Sequence, residues 1–161
     1  MSTSEPIFQR AVVNMLREIF DGPPAGEPSF VLNRGDPGLL QDLDRIGAEA
    51  ASTRPMPGKT TIAAHVDHVC YGLSLLNRWA SGEANAWDGA DWQASWKRGQ
   101  VTDAQWRTLR AALRREAEAW RSHTTQRTAW DDLSAACALS SAAHTAYHFG
   151  AIRQILAGLE K

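Results

Sequence analysis

Apolar residues recur at helical spacing in four long stretches of the chain, and no stretch alternates convincingly at period two. The first stretch predicts a helix from about Pro6 to Asp21. Proline suits its first turn, and Phe8, Val12, Met15 and Ile19 follow at the spacing of a bundle seam. Gly22-Pro23-Pro24-Ala25-Gly26 ends it. An irregular link follows, and its short apolar patch, Phe30-Val31-Leu32, is expected on the outside of the bundle as an anchor. Asp36-Pro37 reads as an N-cap with proline at N1, opening one shorter helix with Leu39, Leu43, Ile46 and Ala50 on one side. Residues from Ser52 to Gly58 form a proline-rich break.

Thr60 or Thr61 caps the second long helix, which runs to about Ala80 with Ile62, Val66, Val69, Leu73 and Leu76 as its stripe. Asp67, Ser74 and Arg78 face away from that stripe. From Ser81 to Gln100 the chain is rich in Gly, Asp and Trp. Thr102-Asp103-Ala104-Gln105 is then a capping-box pattern that opens the third long helix. Trp106, Leu109, Leu113, Ala117 and Trp120 define its inner face, and it ends near His123-Thr124-Thr125. The fourth runs from about Asp132 to Leu159. The predicted fold is all-α: a four-helix bundle with one short extra helix and a Trp-rich loop, forming a single domain over residues 1–161.

Charge and composition narrow the function classes. Seventeen basic residues against eighteen acidic ones leave a net charge of −1, which argues against a nucleic-acid binder. No apolar run approaches the length of a bilayer span, and Met1-Ser2-Thr3-Ser4-Glu5-Pro6 lacks a basic region followed by an apolar one, so no membrane association and a cytoplasmic location are expected. Cys70 and Cys137 both fall in predicted helix interiors, as buried fillers rather than a disulfide framework.

The candidate chemistry lies with the histidines. At about 100° per residue, Leu133, Cys137, His144, His148, Ile155 and Leu159 fall within roughly 80° of one another on the fourth helix, while Arg153 and Glu160 point the opposite way. His144 and His148 therefore stack one turn apart on the stripe that faces the core. A His-x-x-x-His spacing arises often by chance, and a lone buried histidine is more often satisfied by a hydrogen bond than by a metal. The second long helix changes the balance. His65 falls within its stripe and His68 on its edge, so either can reach across to the pair. Three converging imidazoles leave at least one coordination position open for water or substrate, the pattern of a catalytic site.

The order of these features carries a resemblance. A capped helix reads Thr61-Ile62-Ala63-Ala64-His65-Val66-Asp67-His68, a tryptophan-bearing connection follows, and the final helix reads Ala143-His144-Thr145-Ala146-Tyr147-His148-Phe149-Gly150 before Gln154-Ile155-Leu156. This resembles the DinB-like superfamily of four-helix-bundle metalloenzymes. The resemblance implies a divalent metal, zinc or nickel, held by one histidine of the second long helix and both of the last. Counting seven residues from Thr61 selects His68, whereas the helical wheel prefers His65 as the more inward residue. The resemblance favours His68, His144 and His148 as ligands, with His65 a pocket wall or outer-shell donor; Tyr147 lies beside the pair, where it can line the pocket or simply pack. The family often carries arginine after the last ligand, where this chain has Phe149.

By the same resemblance the expected activity is metal-dependent transfer or hydrolysis on a small molecule, with a low-molecular-weight thiol as one class of cosubstrate and a homodimer as the assembly. The alternative is a non-catalytic bundle that is stabilised by the metal or binds a ligand. Arg78, Arg98 and Arg153 are not assigned to a thiol's anionic parts from sequence. Gly58-Lys59-Thr60 resembles the end of a phosphate loop, but Thr53 stands at its first glycine and no strand precedes it. Cys137 lies nearly two turns from His144, too far to ligate. Asp67 faces away from the seam and Glu116 only flanks the third helix, so no general acid or base is identified. Trp87, Trp92 and Trp96 are expected to cover one end of the bundle rather than wall a substrate site, and His123 to face solvent.

Overall fold

Helix starts follow the local sequence closely. Thr61 is extended and its hydroxyl accepts from the Ala64 N–H at 3.2 Å, satisfying one of the donors that a helix start leaves free. Thr102 and Gln105 form the reciprocal capping box. The Asp131 carboxylate accepts from the Ser134 N–H at 2.8 Å just before the last helix.

The computed structural model describes residues 7–56 and 59–159, so the expectations for Pro6, Gly58 and Glu160 lie outside the described residues. Among the described residues six α-helices form: α1 (Ile7–Asp21), α2 (Leu39–Asp44), α3 (Ala48–Ser52), α4 (Ile62–Ala80), α5 (Asp103–Gln126) and α6 (Asp132–Leu159). A 3-10 turn, Ala94–Trp96, lies in the tryptophan-rich connection, and no strand forms among the described residues. The all-helical bundle is the predicted fold class. Helix α4 packs on α5 and α6, and α1 packs on the same two from the other side, so α1 and α4 face each other across the bundle. Leu16, Ile19, Val66, Leu113, Phe149 and Ile152 fill the centre and are excluded from solvent. Each such burial is worth about 1.5–3 kcal/mol.

Where one short helix was expected, two form. Asp36 and Pro37 do not open a helix. Gly38 precedes α2 in an extended conformation with no side-chain cap, because the chain must pass close to the end of α1. A Cβ on Gly38 would stand 2.3 Å from the Gly22 nitrogen and 2.4 Å from the Phe20 carbonyl oxygen. Asp36 is instead held by Arg153, which reaches it at 3.0 Å, Asp42 at 3.3 Å and the Pro37 carbonyl at 2.8 Å. Arg153 thus ties α6 to this segment rather than pointing freely to solvent. The helix then breaks at Ile46-Gly47, where the buried Trp106 indole donates to the Ile46 carbonyl at 2.7 Å and replaces the lost helical partner.

The Phe30-Val31-Leu32 patch is an anchor by its backbone rather than by its side chains. Phe30 is 78% exposed, and only Leu32 packs on the core. The buried Glu18 carboxylate accepts from the N–H groups of Phe30 at 3.0 Å and of Val31 and Leu32 at 2.7 Å. Burial alone would push its pKa up, but those backbone donors outweigh it and hold Glu18 below the usual glutamate value.

Two outcomes follow. Because the folded pKa of Glu18 is depressed, its contribution is present above about pH 4.5 and lost as pH falls through the folded value. Glu18→Gln should cost about 1–3 kcal/mol at pH 7 in urea unfolding, and the two proteins should converge in acid. Gly38→Ala, which sets a methyl group into backbone, should cost at least about 2 kcal/mol by the same measurement.

Candidate metal centre

The seam between α4 and α6 is apolar along most of its length, and four imidazoles interrupt it. His68 Nε2 lies 3.1 Å from His144 Nε2, which lies 3.0 Å from His148 Nε2. His65, His68 and His148 are buried and His144 is half-buried. His65 turns away from that cluster: its Nδ1 meets His148 Nδ1 at 2.9 Å, and its Nε2 meets Thr60 Oγ1 at 2.9 Å. Tyr147 is 72% exposed, with its ring edge-on to His148 at 5.0 Å. His123 is half-buried, far along the bundle beside Ser81.

Hydrogen-bond accounting assigns the ring protons. Ser95 Oγ donates to the Trp92 carbonyl at 2.7 Å, so it has no proton left for His68 Nδ1 at 2.8 Å and must accept from it. A neutral His68 protonated at Nδ1 is bare at Nε2. Its 3.1 Å contact then needs a proton on His144 Nε2. With that proton in place, His148 Nε2 must also be bare, since two N–H groups cannot face each other at 3.0 Å. His148 therefore carries its proton on Nδ1 and donates it to His65, which donates from Nε2 to Thr60. One proton on His144 is left serving two bare nitrogens.

Burial lowers the pKa of all four imidazoles. His68 falls to about 4 and His148 to about 3, in each case through desolvation first and neighbouring histidines second. The tryptophan-rich connection contributes directly. Trp96 stacks on His68 with centroids 4.2 Å apart, and Trp92 lies 5.7 Å from the same ring. Trp87 and Trp92 also wall a cavity of about 460 Å³ that opens on His68 and His144. These tryptophans therefore cover the histidines, not merely one end of the bundle. Cys137 sits farther along that wall, its thiol pKa pushed up by burial, and the Cys70 thiol is pushed up to about 12. Asp67 pairs with Arg98 at 3.1 Å, and Glu116 accepts from Asn77 at 2.7 Å.

The family model of the DinB superfamily matches residues 37–152. The chain belongs to the DinB superfamily. No curated protein and no solved structure gives a significant match. The DinB match spans α2 through most of α6 and takes in all four clustered histidines, Thr60 and the tryptophan-rich connection. The donor atoms fit a cation: His68, His144 and His148 offer ring nitrogens within 4.8 Å of one another and can hold a metal ion. Donors sharing one tetrahedral ion about 2.0–2.1 Å away stand about 3.3 Å apart, close to the 3.1 Å of the His68–His144 pair and the 3.0 Å of the His144–His148 pair. Thr60 and Ser95 escaped the sequence reading. Thr60 was weighed as a helix cap and as the end of a phosphate loop, not as a partner of His65, and Ser95 carries no signal without the fold that brings it under His68.

In this DinB superfamily member the four neutral imidazoles also set a pH dependence. The unfolded chain takes up protons near pH 6.5, whereas the folded rings take them up at lower pH, His68 near pH 4 and His148 near pH 3. The unfolded state thus binds more protons in that window, and stability falls as pH falls. The urea midpoint of metal-free protein should drop steadily from pH 7 to pH 5, above the window of Glu18, and less steeply in His148→Gln. An unchanged wild-type midpoint would contradict neutral burial.

Proposed function

We propose that His68, His144 and His148 hold one divalent metal ion, zinc or nickel, in an enzyme that transforms a small molecule in the adjoining cavity. The observation that carries this reading is the convergence of ring nitrogens of His68, His144 and His148 within 4.8 Å of one another; the contacts of Ser95 and of the His65–Thr60 pair with the Nδ1 atoms of His68 and His148 leave the Nε2 atoms of those two rings facing His144. Neutral, desolvated imidazoles suit zinc and nickel; His144 would bind through Nε2 once its proton shifts to Nδ1, a change of tautomer with no net proton released near pH 7. A divalent ion at this site supplies Lewis acidity toward a water or thiol and toward a polar group of the substrate. His65 and Ser95 hold the ring orientations, and Trp96 shields His68 from solvent. The cavity receives the substrate on the side of His68 and His144.

Hydrolysis by water is the chemistry we favour over thiol transfer. Arg78, Arg98 and Arg153 are paired with Glu83, with Asp67, and with Asp36 and Asp42, and none lines the cavity where a thiol cosubstrate's anionic groups would need a cation. A non-catalytic, metal-stabilised bundle is the competing reading. A closed fourth protein ligand would favour it, and the open cavity beside the three histidines favours the enzyme.

Metal content of tag-free protein, measured by mass spectrometry, tests the proposal. About one zinc or nickel per chain is expected, lost in His144→Ala and His148→Ala with helical circular dichroism retained. Ser95→Ala and His65→Ala should retain the ion but weaken it about 10–100-fold. Protein that arrives metal-free and refuses both added ions overturns the reading.

A further inference from the structure

The cavity beside the histidines has a chemical character of its own. It rests between α4, α6 and the tryptophan-rich connection, with Leu73, Leu76, Trp87 and Trp92 on one side and Leu133 and Cys137 on the other. Gly72 opens it at the histidine end. A Cβ there would meet Trp92 Cζ3 at 3.7 Å and His144 Cε1 at 3.8 Å, so the missing side chain leaves the space between indole and imidazole free.

Hydroxyls line the α6 wall, but their protons are already used. Ser140 donates to the Ala136 carbonyl, Ser141 to the Ala138 carbonyl and Thr145 to the Ser141 carbonyl, each at 2.7–2.8 Å. Ser141 Oγ additionally accepts the Trp120 indole proton at 2.7 Å. That wall offers acceptor lone pairs and methyl groups, with no spare donor for an anion. Among the described residues no carboxylate, lysine or arginine lines the cavity. Close by in the chain, Arg98 pairs with Asp67 and Arg78 with Glu83.

We infer that this cavity takes an uncharged ligand with a flat, aromatic or otherwise apolar body, its polar end turned toward His68 and His144. The inference names the substrate class of the site proposed above and so rests on that reading for its catalytic meaning, though not for its binding chemistry. In the metal-free protein an anionic group placed here would exchange water for indole, leucine and oxygen lone pairs, with no cation to compensate. An apolar body gains from the same exchange, and a volume of about 460 Å³ accommodates two or three rings.

Two probes with the same body separate the possibilities. N-phenyl-1-naphthylamine is neutral, and 1-anilinonaphthalene-8-sulfonate is that molecule with a sulfonate added. Titrated into metal-free protein, with emission and tryptophan quenching as readouts, the neutral probe should bind at one site at least tenfold tighter than the anion. Leu133→Trp fills the mouth from an exposed position and should weaken the neutral probe at least tenfold, with helicity and zinc content unchanged. Ser140→Arg adds a cation to the wall and should shift the preference toward the sulfonate by about tenfold. Phe30→Ser, at the separate apolar groove of Ile7 and Met15, should alter neither.

Equal or tighter binding of the anion to the wild-type protein overturns the inference. So does loss of the neutral probe in Phe30→Ser but not in Leu133→Trp. Protein that takes no zinc yet prefers the neutral probe supports this inference while removing the metal reading, so the two failures are distinguishable.

Discussion

Burying four imidazoles in one helix seam is the constraint on which the rest of this structure depends. Each ring brings two nitrogens into a region with little water, and an unsatisfied buried polar group costs about 1–3 kcal/mol. Histidines facing one another cannot satisfy themselves by packing alone. The chain resolves this with two hydroxyls from outside the seam: Thr60, at the mouth of α4, and Ser95, in the connection after it. Each takes an imidazole proton. The consequence is directional, since drawing protons outward at both ends concentrates bare nitrogens at the centre. Polar satisfaction and the preparation of a cation site are here one physical arrangement.

The same constraint explains why a long irregular connection lies where it does. Ser95 can accept from His68 only because the turn at Ala94–Trp96 brings it under the ring, and that turn is held in part by Asp91, whose carboxylate accepts from the Ala94 N–H at 2.8 Å. Trp96 then stacks on His68 and Trp92 lies beside it. Tyr71 extends the hold from α4, its hydroxyl accepting from the Asp91 N–H at 3.0 Å. The loop is thus built onto the histidines, and the cavity is the space that Gly72 and the tryptophans leave between it and α6.

The long helices were legible because their signals are local. A capping threonine, a capping box and a stripe at 3.6-residue spacing each act within a few residues, and α4, α5 and α6 begin where those signals stand. The short helices were misread because their limits are tertiary: Gly38 must clear the end of α1, and Trp106 stabilises a break sixty residues earlier in the chain. Arg153 leaves α6 opposite the histidine stripe, and its partners Asp36, Asp42 and Pro37 are likewise set by tertiary structure. A wheel shows only the angle at which a side chain leaves its helix, and a long side chain reaches partners that the angle does not reveal. Likewise, the histidine cluster was legible as four residues on two inward faces, but Ser95 and Thr60 were not, since hydroxyls so distant in sequence carry no periodicity.

His65 and His68 illustrate how far a wheel can decide chemistry. The wheel ranks His65 as the more inward residue, yet burial is equal in the two. What differs is direction. The inward ring runs straight across the seam and meets His148 on its Nδ1 side, where a proton must be carried for Nε2 to stay bare. The ring at the stripe's edge runs obliquely, meets His144 at Nε2 and leaves its own Nδ1 for the loop serine. Both rings reach the opposite helix and the loop, His65 through His148 and Trp96 and His68 through His144 and Ser95, but it is the Nε2 of His68 that joins the nitrogens able to hold a metal ion.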